Sequence, residues 1–259
     1  RYNELENARI ISQKYQTNHT EVMLDANILI NDLEKITYHM DEPYGGGVPS
    51  WLLFEQISKN YKVVFTGTGA DEIFGSYGKW RRLYLLNYIK FKKIKNKEFN
   101  KFFFQRGIDG RGYYFNDIQK KKYLVNDFEN EEETYNTMYN IYEECSSDNV
   151  IDKVTYLDIK TQLNNEFLNM TDKFSMAHSL EARPPFLDNE MIDLMLRMPA
   201  NIRTSFKDIK YLLRQTLTDV LPQQILEGPK KGFEIPLEIW LRKDLKEIIY
   251  TLFSKKFLK

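Results

Sequence analysis

The sequence predicts an α/β fold: helices packed on a parallel sheet, then a largely helical C-terminal half. Three observations carry that expectation. Helical spacing of apolar residues alternates with short apolar runs across residues 4–65. A turn holding two glycines and two carboxylates, "TGTGADE", follows the most continuously apolar of those runs, "KVVF". In the last third, apolar stripes recur at helical spacing without strand-like alternation.

In "ELENARIISQKYQ", Leu5, Ala8, Ile11 and Tyr15 are spaced for one face of a helix. The β-branched alternation of "HTEVML" then predicts a strand. Helical spacing returns through Ile28, Leu33 and Ile36. "DEPYGGGVPS" holds two prolines and three glycines and predicts a loop, with a helix starting at Pro49-Ser50 and carrying Leu52, Leu53 and Ile57 on one face. "KVVFTG" predicts a strand buried between helices. Such alternation argues for parallel strands joined by right-handed crossovers. Met191, Leu194, Met195 and Met198 form one apolar stripe, read as core filler rather than a ligand set. With no internal repeat and no linker, residues 1–259 are expected to form one domain.

Composition narrows the function. The 259 residues carry 37 basic and 37 acidic side chains, so no overall field draws the chain to nucleic acid. "YIKFKKIKNKEFNKFFFQRG" interleaves bases and aromatics, but it reads better as a solvated helix face, and no nucleic-acid partner is expected. The acidic "NDFENEEE" reads as a solvated loop or helix start. The single Cys145 excludes an internal disulfide framework and suits a reducing compartment, so a cytoplasmic location is expected. No apolar run approaches the roughly 20 residues of a membrane span.

Four stretches could carry chemistry. Thr66, Gly67, Thr68, Gly69, Ala70, Asp71 and Glu72 lie just past the carboxyl end of the predicted strand, where open parallel sheets bind ligands. Gly67 and Gly69 would let main chain approach a ligand, and the next helix would offer N–H donors to an anion. Asp71 there would repel a bare phosphate but suits a Mg²⁺ held jointly by carboxylate and phosphate oxygens; capping a helix is the plainer role. Asp41 and Glu42 stand in a second acidic loop. "TDKFSMAHSLEARPPFLD" places Asp172, Lys173, His178, Glu181 and Arg183 among apolar residues; a structural Glu181–Arg183 ion pair is the plain expectation, and His178 lacks neighbours for a metal site. Lys230 and Lys231 in "GPKKGFEIP" suit either a solvated turn or a loop that brings a cation to a polyphosphate.

In order, these stretches resemble the synthetase domain of asparagine synthetase and its β-lactam-forming relatives. "YNELENARIISQKYQTNHTEV" is similar to that family's Ala-rich helix and His-x-Glu-Val strand. "DEPYGGGVPSWLL" resembles its Asp-Glu-Pro loop, and "VVFTGTGADEIFGSY" its Gly-Glu-Gly-Ala-Asp-Glu signature. "NNEFLNMTDKFSMAHSLEARPPFLD" and "LLRQTLTDVLPQQILEGPKKGFEIPLEIWLR" complete a likeness spanning residues 2–242. The resemblance implies an adenine nucleotide alpha hydrolase-like (PP-loop) fold, here lacking its first strands. It further implies an ATP-dependent, AMP-forming amide synthetase in which a carboxylate attacks the α-phosphate of Mg·ATP and ammonia or an amine then displaces AMP. On that resemblance Thr66, Gly67, Thr68 and Gly69 lie against the nucleotide, Asp71 holds Mg²⁺, and Lys230 stabilises charge on the transferring phosphate, so Lys230 and Asp71 are the expected catalytic pair. Glu181 and Arg183 would support the site wall. The cofactors implied are ATP and Mg²⁺, and the partners a small carboxylate and ammonia from a glutaminase domain. A homodimer stays open.

Three departures accompany the likeness. The family's Ser-Gly-Gly-x-Asp-Ser loop is absent from these residues, and with it core strands and a second metal-binding aspartate, so the chain alone is not expected to turn over ATP. The glutaminase domain is absent too. Thr68 replaces a family glutamate, and a hydroxyl is no carboxylate base near neutral pH, so the acid need not be aspartate. A non-catalytic relative that keeps the nucleotide site as a binding or scaffold domain is the alternative.

Overall fold

The computed structural model describes residues 4–24, 26–42, 46–75, 122–123, 134–205, 208–229, 232 and 235–254. Along them run α1 (Leu5–Tyr15), α2 (Ala26–Met40), α3 (Val48–Ser58), β1 (Val63–Phe65) and α4 (Ala70–Phe74). Next come α5 (Thr134–Glu144) and α6 (Val150–Asp158), a π-helical stretch (Ile159–Leu168), α7 (Asn169–Ala177) and β2 (Glu181–Arg183). A 3₁₀ turn (Pro185–Leu187) leads to α8 (Asn189–Arg197), α9 (Ala200–Arg203), α10 (Tyr211–Thr216), α11 (Gln223–Leu226), α12 (Leu237–Arg242) and α13 (Lys246–Leu252). The chain divides into two compact units: residues 1–66, 168–183 and 218–259 form the first, and residues 67–167 and 184–217 the second.

The first unit is built on α2, α3 and α7. Pro49 sits in the first turn of α3, where its missing N–H costs nothing and its fixed φ suits a helix. The unit's core takes Leu29, Ile36 and Met40 from α2, Trp51, Leu52 and Phe54 from α3, and Met170 and Phe174 from α7. Of the expected α2 stripe, Ile36 is buried but Leu33 is 36% exposed. A Cβ on Gly47 would stand 2.5 Å from Phe174 Cε2 and 2.8 Å from Met170 Cγ. That glycine of the loop therefore serves packing.

β1 and β2 pair in parallel, Val63 with Glu181, Val64 with Ala182 and Phe65 with Arg183. The expectation of a parallel sheet thus holds for this pair. Glu-Ala-Arg has poor strand propensity, and the sequence predicts no strand there. Pro184 supplies the missing reason, since a residue before proline is driven to extended backbone. The expectation that β1 is buried on both sides fails: Val64 packs on the core, while Val63 and Phe65 are 42% and 73% exposed. Side chains alternate along a strand, and the core covers only the Val64 and Ala182 face. "HTEVML" also departs from expectation. Residues 17–24 are irregular, with no ladder partner among the described residues, and Glu21 receives Arg9 in an ion pair.

The second unit holds two apolar clusters. One joins Tyr142 of α5 to Val150, Ile151, Val154 and Leu157 of α6, with Ala200. The side chain of Asn149 caps α6, accepting from the Ile151 N–H at 2.9 Å. The other cluster joins Ala70, Ile73 and Phe74 of α4 to Met195 of α8, with Phe186, Leu187, Met191 and Met198 against it. Met191, Met195 and Met198 act as core filler as expected, but Leu194 is 57% exposed and lies off the stripe. The basic-aromatic segment and "NDFENEEE" lie outside the described residues. Among the described residues no helix is long and apolar enough to cross a membrane.

Candidate functional site

β1 passes directly into the predicted ligand turn. The Thr66 N–H still donates to the Arg183 carbonyl at 2.9 Å, so this residue extends the ladder by one step. Gly67 and Thr68 then turn the chain, and Gly69 enters the left-handed region with φ +89°. The two glycines differ in what surrounds them. Among the described residues, a Cβ at Gly67 would meet no atom within 4 Å, whereas one at Gly69 would stand 2.5 Å from Leu187 Cγ. Both φ and Leu187 therefore explain Gly69, and open space surrounds Gly67.

α4 is anchored by burial of Ala70, Glu72, Ile73 and Phe74, and ends at Gly75 in a second left-handed conformation. It has only five residues, so few aligned peptides stand behind its first N–H groups and little macrodipole is available to an anion.

Asp71 lies in the first turn of α4, and its Oδ1 is 2.6 Å from the Lys210 ammonium. Their side chains are 32% and 28% exposed respectively. An ion pair this accessible contributes about 0.2–1 kcal/mol and is weakened by salt. Lys210 stands before α10 with φ 53°, a left-handed conformation that costs a non-glycine residue about 1–2 kcal/mol. Its backbone N–H donates to the Gly75 carbonyl at 3.3 Å. Lys210 therefore grips α4 at both ends, main chain on its C-cap Gly75 and side chain on its first turn.

This arrangement suits a hard divalent cation. The Asp71 carboxylate oxygen faces the Lys210 ammonium. Among the described residues no three His, Cys, Asp or Glu side chains converge on a point. Mg²⁺ instead is commonly held by one or two carboxylates with phosphate oxygens and water filling its octahedron. The donor set fits a metal that arrives with a polyphosphate.

Lys230 and Lys231 lie outside the described residues, as does Pro43 of the Asp-Glu-Pro loop. Glu42 of that loop accepts from the Asn169 side chain and lies 4.0 Å from Lys173, whose ammonium donates to the Met40 carbonyl at 2.7 Å. The structure thus brings together two stretches singled out separately in the sequence. The Glu181–Arg183 pair is present at 2.8 Å, but on an exposed strand face rather than in an apolar neighbourhood. His178 packs its ring 4.3 Å from Trp51, with His39 on Trp51 as well. Among the described residues its buried Nε2 finds no hydrogen-bond partner, and burial pushes its pKa below the usual imidazole value. That environment disfavours the imidazolium.

Two residues at the turn escape sequence reasoning. Leu187 is simply the apolar residue after Pro-Pro-Phe, and Lys210 is one lysine in a Lys-rich chain. Nothing in local spacing ties either to residues 69–71, because both contacts come from tertiary packing.

A model of the asparagine synthase family matches residues 1–259, the whole chain. The chain belongs to the asparagine synthase family. The resemblance drawn from the five stretches is therefore borne out. Glutamine-hydrolyzing asparagine synthetase 1 of Bacillus subtilis is 29% identical over 251 residues, covering 87% of this chain and 39% of that protein. A putative glutamine-hydrolyzing asparagine synthetase of Mycobacterium bovis is 28% identical over 263 residues, 93% of this chain and 40% of that protein. A shorter match, 45% identical over 65 residues, links it to the glutamine-hydrolyzing asparagine synthetase of Gallus gallus, with 24% and 12% covered. The chain thus spans about 40% of the length of the first two curated relatives.

Proposed function

We propose that this member of the asparagine synthase family serves an ATP-dependent, AMP-forming amide synthetase. Its carboxylate substrate attacks the α-phosphorus of ATP, a P–O bond to pyrophosphate breaks, and an acyl-adenylate forms. Ammonia or an amine then attacks the acyl carbon, and AMP leaves with the bonding electrons. The observation that carries the reading is the turn from Thr66 to Asp71, in which an exposed, unobstructed glycine precedes a carboxylate that faces a cation. The matching family and the names of its relatives support the same reading.

In this mechanism Thr66, Gly67, Thr68 and Gly69 line the nucleotide, with Gly67 offering the closest approach. Asp71 holds the metal, which supplies neutralisation of charge on the phosphate oxygens. Lys230 meets the negative charge that grows on phosphate during transfer. Thr68 brings a hydroxyl where the family's carboxylate base would stand, so the acid need not be aspartate. Ammonia comes from glutamine in a separate domain, as the names of the relatives suggest for those proteins.

The test is an exchange assay on the full-length polypeptide. Labelled pyrophosphate is followed into ATP while a panel of carboxylic acids is supplied one at a time. Exchange that appears only with a particular acid supports adenylation and names the substrate. ATP binding with no exchange under any acid would instead establish the non-catalytic scaffold.

A further inference from the structure

Lys210 does more at this turn than a surface lysine needs to do. α4 is already held by the burial of Ile73 and Phe74, and by the bond from the Lys210 backbone to Gly75, none of which requires a charge on residue 210. The left-handed backbone at 210 would accept asparagine or glycine with less strain. What the lysine adds is an ammonium 2.6 Å from Asp71 Oδ1, in a place that water and small ions reach.

That oxygen cannot keep the lysine and also take a metal. Mg²⁺ binds carboxylate oxygen at about 2.0–2.1 Å, so the two cations would stand within a few ångströms of one another, where like charges repel. The four-carbon stem of lysine gives it freedom to swing aside without moving α4. Polyphosphate oxygens arriving with the metal offer the displaced ammonium a new partner.

We infer that Lys210 is a positioning residue of the metal site: it holds the Asp71 carboxylate in place of a divalent cation when nucleotide is absent, and yields that oxygen to a metal that arrives with a polyphosphate. This rests on the reading of Asp71 as the metal ligand. The consequence is selectivity. By neutralising Asp71, the lysine weakens binding of the free metal, while binding of the metal–nucleotide complex loses little because phosphate compensates the ammonium.

Mn²⁺ binding to the full-length protein, read by electron paramagnetic resonance, tests this without any turnover. Titrations are made with Mn²⁺ alone and with Mn²⁺ plus a non-hydrolysable ATP analogue. Lys210→Met, which removes the charge and keeps the stem, should tighten binding of Mn²⁺ alone about twofold to fivefold, the scale of one accessible ion pair. Lys210→Arg should restore the wild-type affinity. Lys210→Asn, at ease in the left-handed region, should behave as Lys210→Met and guards against a folding defect in the latter. Asp71→Asn should weaken Mn²⁺ binding with the analogue. If Asp71→Asn does so but neither Lys210→Met nor Lys210→Asn changes the affinity for Mn²⁺ alone, the inference about Lys210 is wrong and the metal role of Asp71 stands. If Asp71→Asn leaves Mn²⁺ binding unchanged in both titrations, both fall.

Discussion

β1 and β2 run parallel and so leave the sheet at one edge, but their exits are built from opposite materials. β1 leaves through Thr66-Gly67-Thr68-Gly69, and β2 through Pro184-Pro185-Phe186-Leu187. Glycine gives the first exit a tight turn and, at Gly67, main chain that no described atom would crowd with a Cβ. Proline gives the second a fixed course into a 3₁₀ turn. The two meet where the Leu187 side chain fills the space a Cβ on Gly69 would need. Two glycines a residue apart in one turn can thus be fixed by different surroundings. Gly69 is fixed by its φ and by Leu187, and a Cβ at Gly67 would meet no described atom.

The sharpest way to break this comparison is Gly69→Ala. An alanine at φ +89° is strained, and its methyl would overlap Leu187. Together these should cost about 2–5 kcal/mol, a large part of an ordinary domain's stability. Denaturant unfolding should show it as a lower midpoint. Adding Leu187→Ala removes the overlap but not the strain, so the double variant should be more stable than the sum of the single effects allows, by about 1 kcal/mol or more. Strict additivity would mean the two exits do not pack as described.

Gly67→Ala should do the reverse. With no atom in its way, the new methyl should shift stability by less than about 1 kcal/mol, in either direction. Affinity for ATP in the full-length protein, measured by calorimetry, should fall about tenfold if main chain there lies against the nucleotide, an effect comparable to losing one good contact. An unchanged affinity would leave Gly67 as a plain turn residue.

Much of this was legible in the sequence, and the gaps have physical causes. Helices α1, α2 and α3 followed from apolar spacing, and the start of α3 from Pro49. β1 followed from its apolar run, but not its one-sided exposure, because a run of Val-Val-Phe looks the same whether one face or two are covered. β2 was hidden, since Glu181 and Arg183 have no strand preference and take their conformation from Pro184 and from the partner strand. The turn was visible as glycines and acids, yet the sorting of Gly67 from Gly69 depends on Leu187, far along the chain. Lys210 was invisible for the same reason: an ion pair spanning this much sequence leaves no trace in local spacing.

The account rests on Asp71 being the metal-holding carboxylate of an adenylating site. Its most direct test is pyrophosphate–ATP exchange by Asp71→Asn in the full-length protein, with the best acid from the panel and folding checked by circular dichroism. The amide keeps the size of the side chain and removes its charge. Exchange should fall at least about a hundredfold, the order expected when one electrostatic stabiliser of a transition state is removed, with the spectrum and unfolding midpoint nearly unchanged. Exchange at the wild-type rate in a folded Asp71→Asn protein would contradict it.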